Sequence, residues 1–214
     1  MAGTITALVA QKRNKERVNV YLDGEFAFGL AMIEALKLHK GQTLSDEEIE
    51  RLRALDEVET AHERALNLLT YRPRSAEEVR RKLRESKKNF SETAIEKTIQ
   101  RLEQAGLLDD KAFARYWVEN REQFSPRSIR ALRHELRQKG VSHRDADEAL
   151  VDVDEEDAAY RAGRAKARRY AQADEETFRR RLGGYLARRG FPYGTVRDVV
   201  DRLWDEINTQ TNSP

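Results

Sequence analysis

Residues 125–140 read SPRSIRALRHELRQKG, and residues 72–84 already read RPRSAEEVRRKLR. Both stretches run Pro-Arg-Ser, an apolar residue, polar residues and a leucine, and both are rich in arginine. Val79 with Leu83 and Leu132 with Leu136 are i,i+4 pairs, which share one face of a helix. Leu182 with Leu186 is a third such pair. A stop signal follows each pair: Asn89-Phe90, Gly140-Val141 and Gly190-Phe191. Gly or Asn accepts the left-handed backbone just past a helix end, and the next residue supplies an apolar contact back to it. Another helix then follows each stop. Its apolar positions are Ile95, Ile99 and Leu102, then Ala146, Leu150 and Val153, then Val196, Val200 and Leu203. Opening helices are expected near 58–70, 110–123 and 156–171. The period is about 50 residues, within the range of repeat arrays. Copies two and three align without a gap, whereas copy one carries two extra residues before its stop.

Helix starts are marked at matching points. Ser75-Ala-Glu-Glu78 and Ser142 with Asp145 have capping-box spacing, and Ser125 before Pro126 reads as an N-cap followed by proline at the first helical position. Asp110, after Ala105-Gly-Leu-Leu108, reads as the N-cap of the next helix.

The first thirty residues follow a different period. TITALVA (4–10) and RVNVYL (17–22) alternate, Asp23-Gly24 signals a type I′ turn, and EFAFGL (25–30) alternates again. This predicts a three-stranded antiparallel meander joined by the loop QKRNKER (11–17). Its inward candidates are Ile5, Ala7, Val9, Val18, Val20, Leu22, Phe26, Phe28 and Leu30. Three short strands need a cover, which AMIEALKL (31–38) is expected to provide as a helix ended by Gly41. Ser45 with Glu48 forms a capping box for a helical stretch reaching about Thr70, as one bent helix or two. The expected fold is therefore mainly α. Three tandem three-helix units form an elongated, curved array, with a small N-terminal antiparallel β unit. The divisions fall at 1–56 (β-meander plus helices), 57–109, 110–155 and 156–210.

Composition limits the function classes. The 214 residues are 36% charged and 39% hydrophobic, with 40 basic against 38 acidic side chains. Balanced charge with sustained periodicity favours folded, surface-rich helices over disorder. With no cysteine there is no disulfide, thiol nucleophile or cysteine zinc site. No long apolar run occurs, so a cytoplasmic protein without a membrane span is expected. No Gly-rich phosphate loop or Gly-x-Ser-x-Gly is present, and His39, His62, His134 and His143 are scattered without ligand spacing. Trp117 and Trp204 fall at helical apolar positions and read as core. No enzyme, cofactor or metal is indicated.

The arginines remain. Arg80, Arg84 and Lys88 form one stripe beside the Val79/Leu83 face, and Arg130, Arg133 and Arg137 do so in copy two. Copy three replaces the stripe with Arg168 and Arg169, then Arg179, Arg180 and Arg181, then Arg188 and Arg189. From Ala158 onward twelve basic residues face seven acidic ones, whereas the preceding stretch ends in the acidic VDVDEED (151–157). Guanidinium groups bind carboxylate or phosphate in bidentate fashion, so such stripes suit a long regular partner, a nucleic-acid backbone or a protein filament. The competing reading is a salt-bridged surface, with pairs such as Glu77 and Arg81. Asp154, Glu155, Glu156 and Asp157 offer a second, acidic contact surface, or else a solvated helix end.

The motifs resemble the RecX family, regulators of the RecA recombinase. The resemblance rests on Arg72, Pro73 and Ser75; on Gly106, Leu107, Leu108, Asp109, Asp110, Phe113 and Ala114; and on Glu135, Leu136, Lys139 and Gly140. VNVYLDGEFAFGLAMIEALKLHKGQTLS (18–45) is similar to the β-containing extension of longer members. The resemblance implies a non-catalytic protein that binds in the groove of the RecA–DNA filament; a monomer is expected. It would modulate, mostly inhibit, RecA's ATPase, strand exchange and co-protease activities, in DNA repair, recombination and the SOS response. The alternative is a general DNA-binding protein that uses the arginine-rich faces without RecA; a third reading is a repeat scaffold for another protein.

Overall fold

The computed structural model of the chain describes residues 2–12 and 14–211, so Arg13 of the first loop lies outside the described residues. Two compact units result: residues 1–72 with 79–108, and residues 73–78 with 109–214.

The first unit opens with β1 (Gly3–Ala10), β2 (Arg17–Leu22) and β3 (Glu25–Ala31), then α1 (Met32–Ala35) and β4 (Thr43–Leu44). The sheet is antiparallel with order β3-β2-β1-β4, so it has one strand more than the sequence predicts. Asp23 and Gly24 both have positive φ (50° and 95°), as the type I′ turn requires. The strict alternation does not hold, because each of two strand pairs is bulged. Register shifts between Ile5 and Ala7, and again beyond Val20, where Tyr21 faces Phe26. An inserted residue flips every side chain after it to the other face. Leu8, opposite Val20, therefore joins the packed face, while Val9 and Phe26 are exposed, contrary to the inward assignment. Phe26 instead meets Tyr21 edge-on at 6.0 Å between centroids. The core of this part is Ile5, Val18, Val20, Phe28, Leu30, Ala35, Leu44, Ile49 and Leu52.

The helix over 31–38 is a single turn, and Gly41 does not end it. The Gly41 N–H donates to Ile5 C=O and Ile5 N–H to Gln42 C=O, both at 2.8 Å. Pairing with β1 captures this segment before the helix can extend. From Asp46 to Leu69 runs one helix, α2, started by the reciprocal Ser45–Glu48 capping box. Its second half serves as the opening helix of copy one, with α3 (Ala76–Arg84) and α4 (Glu92–Gln104). Ser91 caps α4 and gives both its N–H and its hydroxyl to the Glu57 carboxylate. Asn89 has φ 47° but stands five residues past α3, in a turn closed onto Ser86 C=O. The two extra residues of copy one thus form a separate turn instead of a direct helix cap.

The second unit holds copies two and three: α5 (Asp110–Phe124), α6 (Ile129–Gln138) and α7 (His143–Leu150), then α8 (Glu155–Ala167), a 3-10 turn (Arg168–Tyr170), α9 (Glu175–Arg188) and α10 (Tyr193–Thr211). Phe113, Ala114, Val118, Leu132, Leu136, Val141, Ala146 and Leu150 form one core, and the partly buried Val153, beyond the end of α7, packs on it. Ala158, Ala159, Ala162, Phe178, Leu182, Leu186, Phe191, Val196, Val200 and Leu203 belong to the other. Both middle helices end in a Schellman motif. Val141 N–H donates to Leu136 C=O and Gly140 N–H to Arg137 C=O, with Phe191, Leu186, Gly190 and Ala187 repeating the pattern.

Two caps move from their predicted places. The α6 cap is Ser128, whose Oγ accepts from Ala131 N–H at 3.1 Å, not Ser125. Ser128 matches Ser75 in the Pro-Arg-Ser motif, so the proline stands two residues before the cap. Likewise Asp109, not Asp110, caps α5, accepting from Ala112 N–H at 3.0 Å. Ser128→Ala is expected to lower stability by about 1 kcal/mol, and Ser125→Ala by less; urea unfolding of both variants checks the order.

Candidate functional site

The relocated caps release side chains that build the joints between copies. Asp110, free of capping α5, accepts Ala76 N–H at 2.8 Å, the first amide of α3. Ser75 accepts from Glu78 N–H and donates to Lys139 C=O at 2.6 Å. Lys139 closes the joint with an ion pair to the buried Glu78 at 2.8 Å. The pattern recurs one copy later. Asp154 caps α8, and Glu155 accepts Ile129 N–H at 2.8 Å, as Asp110 does for Ala76. Ser128 N–H donates to Arg189 C=O at 3.3 Å. In each joint a glycine lies against the preceding middle helix. A β-carbon on Gly140 would fall 2.4 Å from Glu77 Cβ, and one on Gly190 would fall 2.6 Å from Ser128 Oγ.

Trp117 is more than a core residue. It is partly buried, stacks on Phe113, and donates its indole N–H to Glu135 at 2.8 Å. Lys139 Nζ and the Arg121 guanidinium lie 3.9 and 4.3 Å from its ring centre. Glu135 also accepts from Arg121 Nε at 2.8 Å and forms an ion pair with Arg127, whose Nε stands 3.0 Å away without a hydrogen bond. Trp204 is likewise partly buried, 5.1 Å from Phe178.

Four family models match this chain in series. They are the regulatory protein RecX N-terminal domain at 3–45 and the first, second and third RecX three-helix domains at 61–102, 109–150 and 154–200. Regulatory protein RecX of Bacillus subtilis (strain 168) is 30% identical over 212 residues, covering 97% of this chain and 80% of the relative. The chain belongs to the RecX family. Regulatory protein RecX of Chlorobium phaeobacteroides (strain BS1) is 38% identical over 144 residues, 67% of this chain and 93% of the relative. A crystal structure of regulatory protein RecX matches with a TM-score of 0.69 at 28% identity, over 93% of this chain and 99% of that one. The crystal structure of RecX from Lactobacillus salivarius shares the fold, with a TM-score of 0.58 over 69% of this chain and 97% of that one. RecX membership gives the chain a regulatory role. It also accounts for the motif residues, since Ser75, Asp110, Lys139 and Gly140 make the first joint described above.

The basic residues divide by partner. Arg80 makes a forked ion pair with Glu96 and Arg84 with Glu92, tying α3 to α4. Arg133 pairs with Asp147 across α6 and α7, and Arg179 with both Glu175 and Asp201. These carboxylates hold the Arg179 guanidinium charged above the ordinary arginine range, the Asp201 hydrogen bond contributing most. The stripe arginines thus pair across helices more than along them. Arg137 donates to His134, and Arg180 stands 4.0 Å from Glu176. Lys88 lies beside Asp56, whose carboxyl is raised above its usual range by burial despite its hydrogen bonds from Arg17. Arg181 lies over the Tyr170 ring, and Arg189 over Tyr185, donating to Ser125 Oγ and Pro126 C=O. Among the described residues Arg130, Arg168, Arg169 and Arg188 are exposed and have no ion pair or hydrogen bond of the side chain. The acidic run is largely engaged: Asp154 caps, Glu155 joins copies, and Asp157 pairs with Arg161.

Within each unit the predicted basic residues are spread over more than one element. Among the described residues no group of His, Asp and Glu has metal-binding spacing, and no helix is long and apolar enough to cross a membrane. Sequence reasoning missed the joint acids, although Asp109-Asp110 recurring as Asp154-Glu155 at the opening helices of copies two and three signals them.

Proposed function

We propose that the chain is a non-catalytic, monomeric, cytoplasmic modulator of RecA, chiefly an inhibitor. It would bind in the groove of the RecA–DNA filament and alter ATPase, strand exchange and co-protease activity. Family membership supports the partner. The single observation carrying the mode of contact is that four of the predicted contact arginines in the second unit, Arg130, Arg168, Arg169 and Arg188, are exposed and unpaired. A guanidinium without an internal carboxylate forfeits no existing ion pair on meeting a phosphate or an acidic side chain. Arg80, Arg84, Arg133 and Arg179 would have to exchange one partner for another.

Purified protein added to RecA on single-stranded DNA is expected to lower ATP turnover; unchanged turnover at saturating binding would overturn the reading. The general DNA-binding alternative predicts steep salt dependence and indifference to RecA. Retention of RecA on immobilised protein without DNA is the expected result, and its loss would favour that alternative.

A further inference from the structure

We infer that the joint between copies two and three is a binding site for single-stranded nucleic acid, with bases stacking on Phe124 and Tyr193 and phosphates held by Arg130 and Arg188. This deepens the proposed function by naming one ligand and one place for it. The observation behind it is exposure. Phe124 is 71% exposed and Tyr193 82%, in a unit where every other phenylalanine is buried. Neither ring makes an aromatic or cation–π contact with a described residue. One such ring alone would be ordinary surface, but these two stand on chain segments that meet at one joint. Phe124 ends α5 next to Ser125, whose hydroxyl receives Arg189 at 3.1 Å. Tyr193 opens α10 three residues after Gly190, which lies against Ser128.

The same segments carry available charges. Arg189 is fixed by Ser125, Pro126 and Tyr185, which anchors the α9 end against the segment following Phe124. Arg188 beside it and Arg130, two residues from Ser128, have no carboxylate partner. Exposed aromatics among free arginines form the surface on which unpaired bases stack while the backbone is neutralised. A duplex buries its base faces in its own stack and offers such rings nothing, so the preference is for single strands. The exposed ring is also a repeated feature. Tyr71, 83% exposed, stands before Arg72-Pro73-Arg74-Ser75 as Phe124 stands before Ser125-Pro126-Arg127-Ser128.

The test uses the full chain, labelled oligo(dT) and a duplex of the same length. Phe124→Ala with Tyr193→Ala should weaken oligo(dT) binding roughly ten- to hundredfold and leave duplex binding within about twofold. Arg130→Gln with Arg188→Gln should weaken both and flatten the dependence on salt by about two phosphate contacts. Both ring positions are exposed, so circular dichroism should show an unaltered fold. Unchanged oligo(dT) affinity in the aromatic variant, or equal loss on both nucleic acids, overturns the inference. RecA turnover with the unsubstituted protein is read in parallel. Slowed turnover with an indifferent aromatic variant removes this site and leaves the proposed function standing; unslowed turnover with a selective loss on oligo(dT) does the reverse.

Discussion

Gly140→Ala is expected to destabilise the protein by about 2–5 kcal/mol, as two costs that add at one atom. The backbone at Gly140 has φ 78°, where an L-residue loses about 1–2 kcal/mol. The new β-carbon would also fall 2.4 Å from Glu77 Cβ and 2.9 Å from Cγ, so the first turn of α3 must move. That turn carries Ser75, Ala76 and Glu78, all of which bond into copy two, so displacing it strains three further contacts. Gly106→Ala separates the two costs. Gly106 has φ 67° and nothing within 4 Å of its would-be β-carbon, so it should lose only the backbone part. Urea denaturation of both variants gives the comparison. Equal losses would mean that the approach of Gly140 to α3 contributes nothing.

Glu135→Ala should be comparably damaging, about 3–5 kcal/mol, because it strands several donors at once. The Glu135 side chain is 15% exposed, accepts hydrogen bonds from Trp117 Nε1 and Arg121 Nε, and forms an ion pair with Arg127. Removing it leaves two guanidinium groups without their counter-charge and an indole N–H without its acceptor. Glu135→Gln keeps an oxygen for one donor and should cost less. Near-UV circular dichroism in a Trp204→Phe background should report loss of the ordered Trp117 environment with alanine and partial retention with glutamine. A loss under 1 kcal/mol for Glu135→Ala would show that solvent replaces the network at little cost.

Much of this architecture was legible as periodicity. The i,i+4 pairs Val79/Leu83, Leu132/Leu136 and Leu182/Leu186 are all buried, and Gly140 and Gly190 take the left-handed backbone that their stop positions demanded. The errors have two causes. Strand alternation carries no mark of a bulge, so by itself it turns Val9 and Phe26 inward, whereas both are exposed. Neighbouring cap-forming residues compete, and Ser125 with Ser128, or Asp109 with Asp110, cannot be ranked locally when both suit an N-cap. The arginine stripes were legible as stripes, but not their pairing. Whether Arg84 meets Glu92 or solvent depends on how α4 returns across α3, and no local pattern specifies that.

The sequence by itself determined the family motifs, the three-helix period, the helical cores and the glycine stops, because each is a local pattern, a backbone preference or a face of one helix. Only the tertiary structure decided which polar residues join the copies and which arginines remain available. Those outcomes belong to residues brought together from separate helices: Ser75 with Lys139, Ala76 with Asp110, Ile129 with Glu155, and Arg133 with Asp147. In SPRSIRALRHELRQKG the sequence marks Leu132 and Leu136 for the core and Gly140 for the stop. The fold assigns Ser128 to the cap, Glu135 to the Trp117 network and Arg133 to a carboxylate, and leaves Arg130 exposed without a partner.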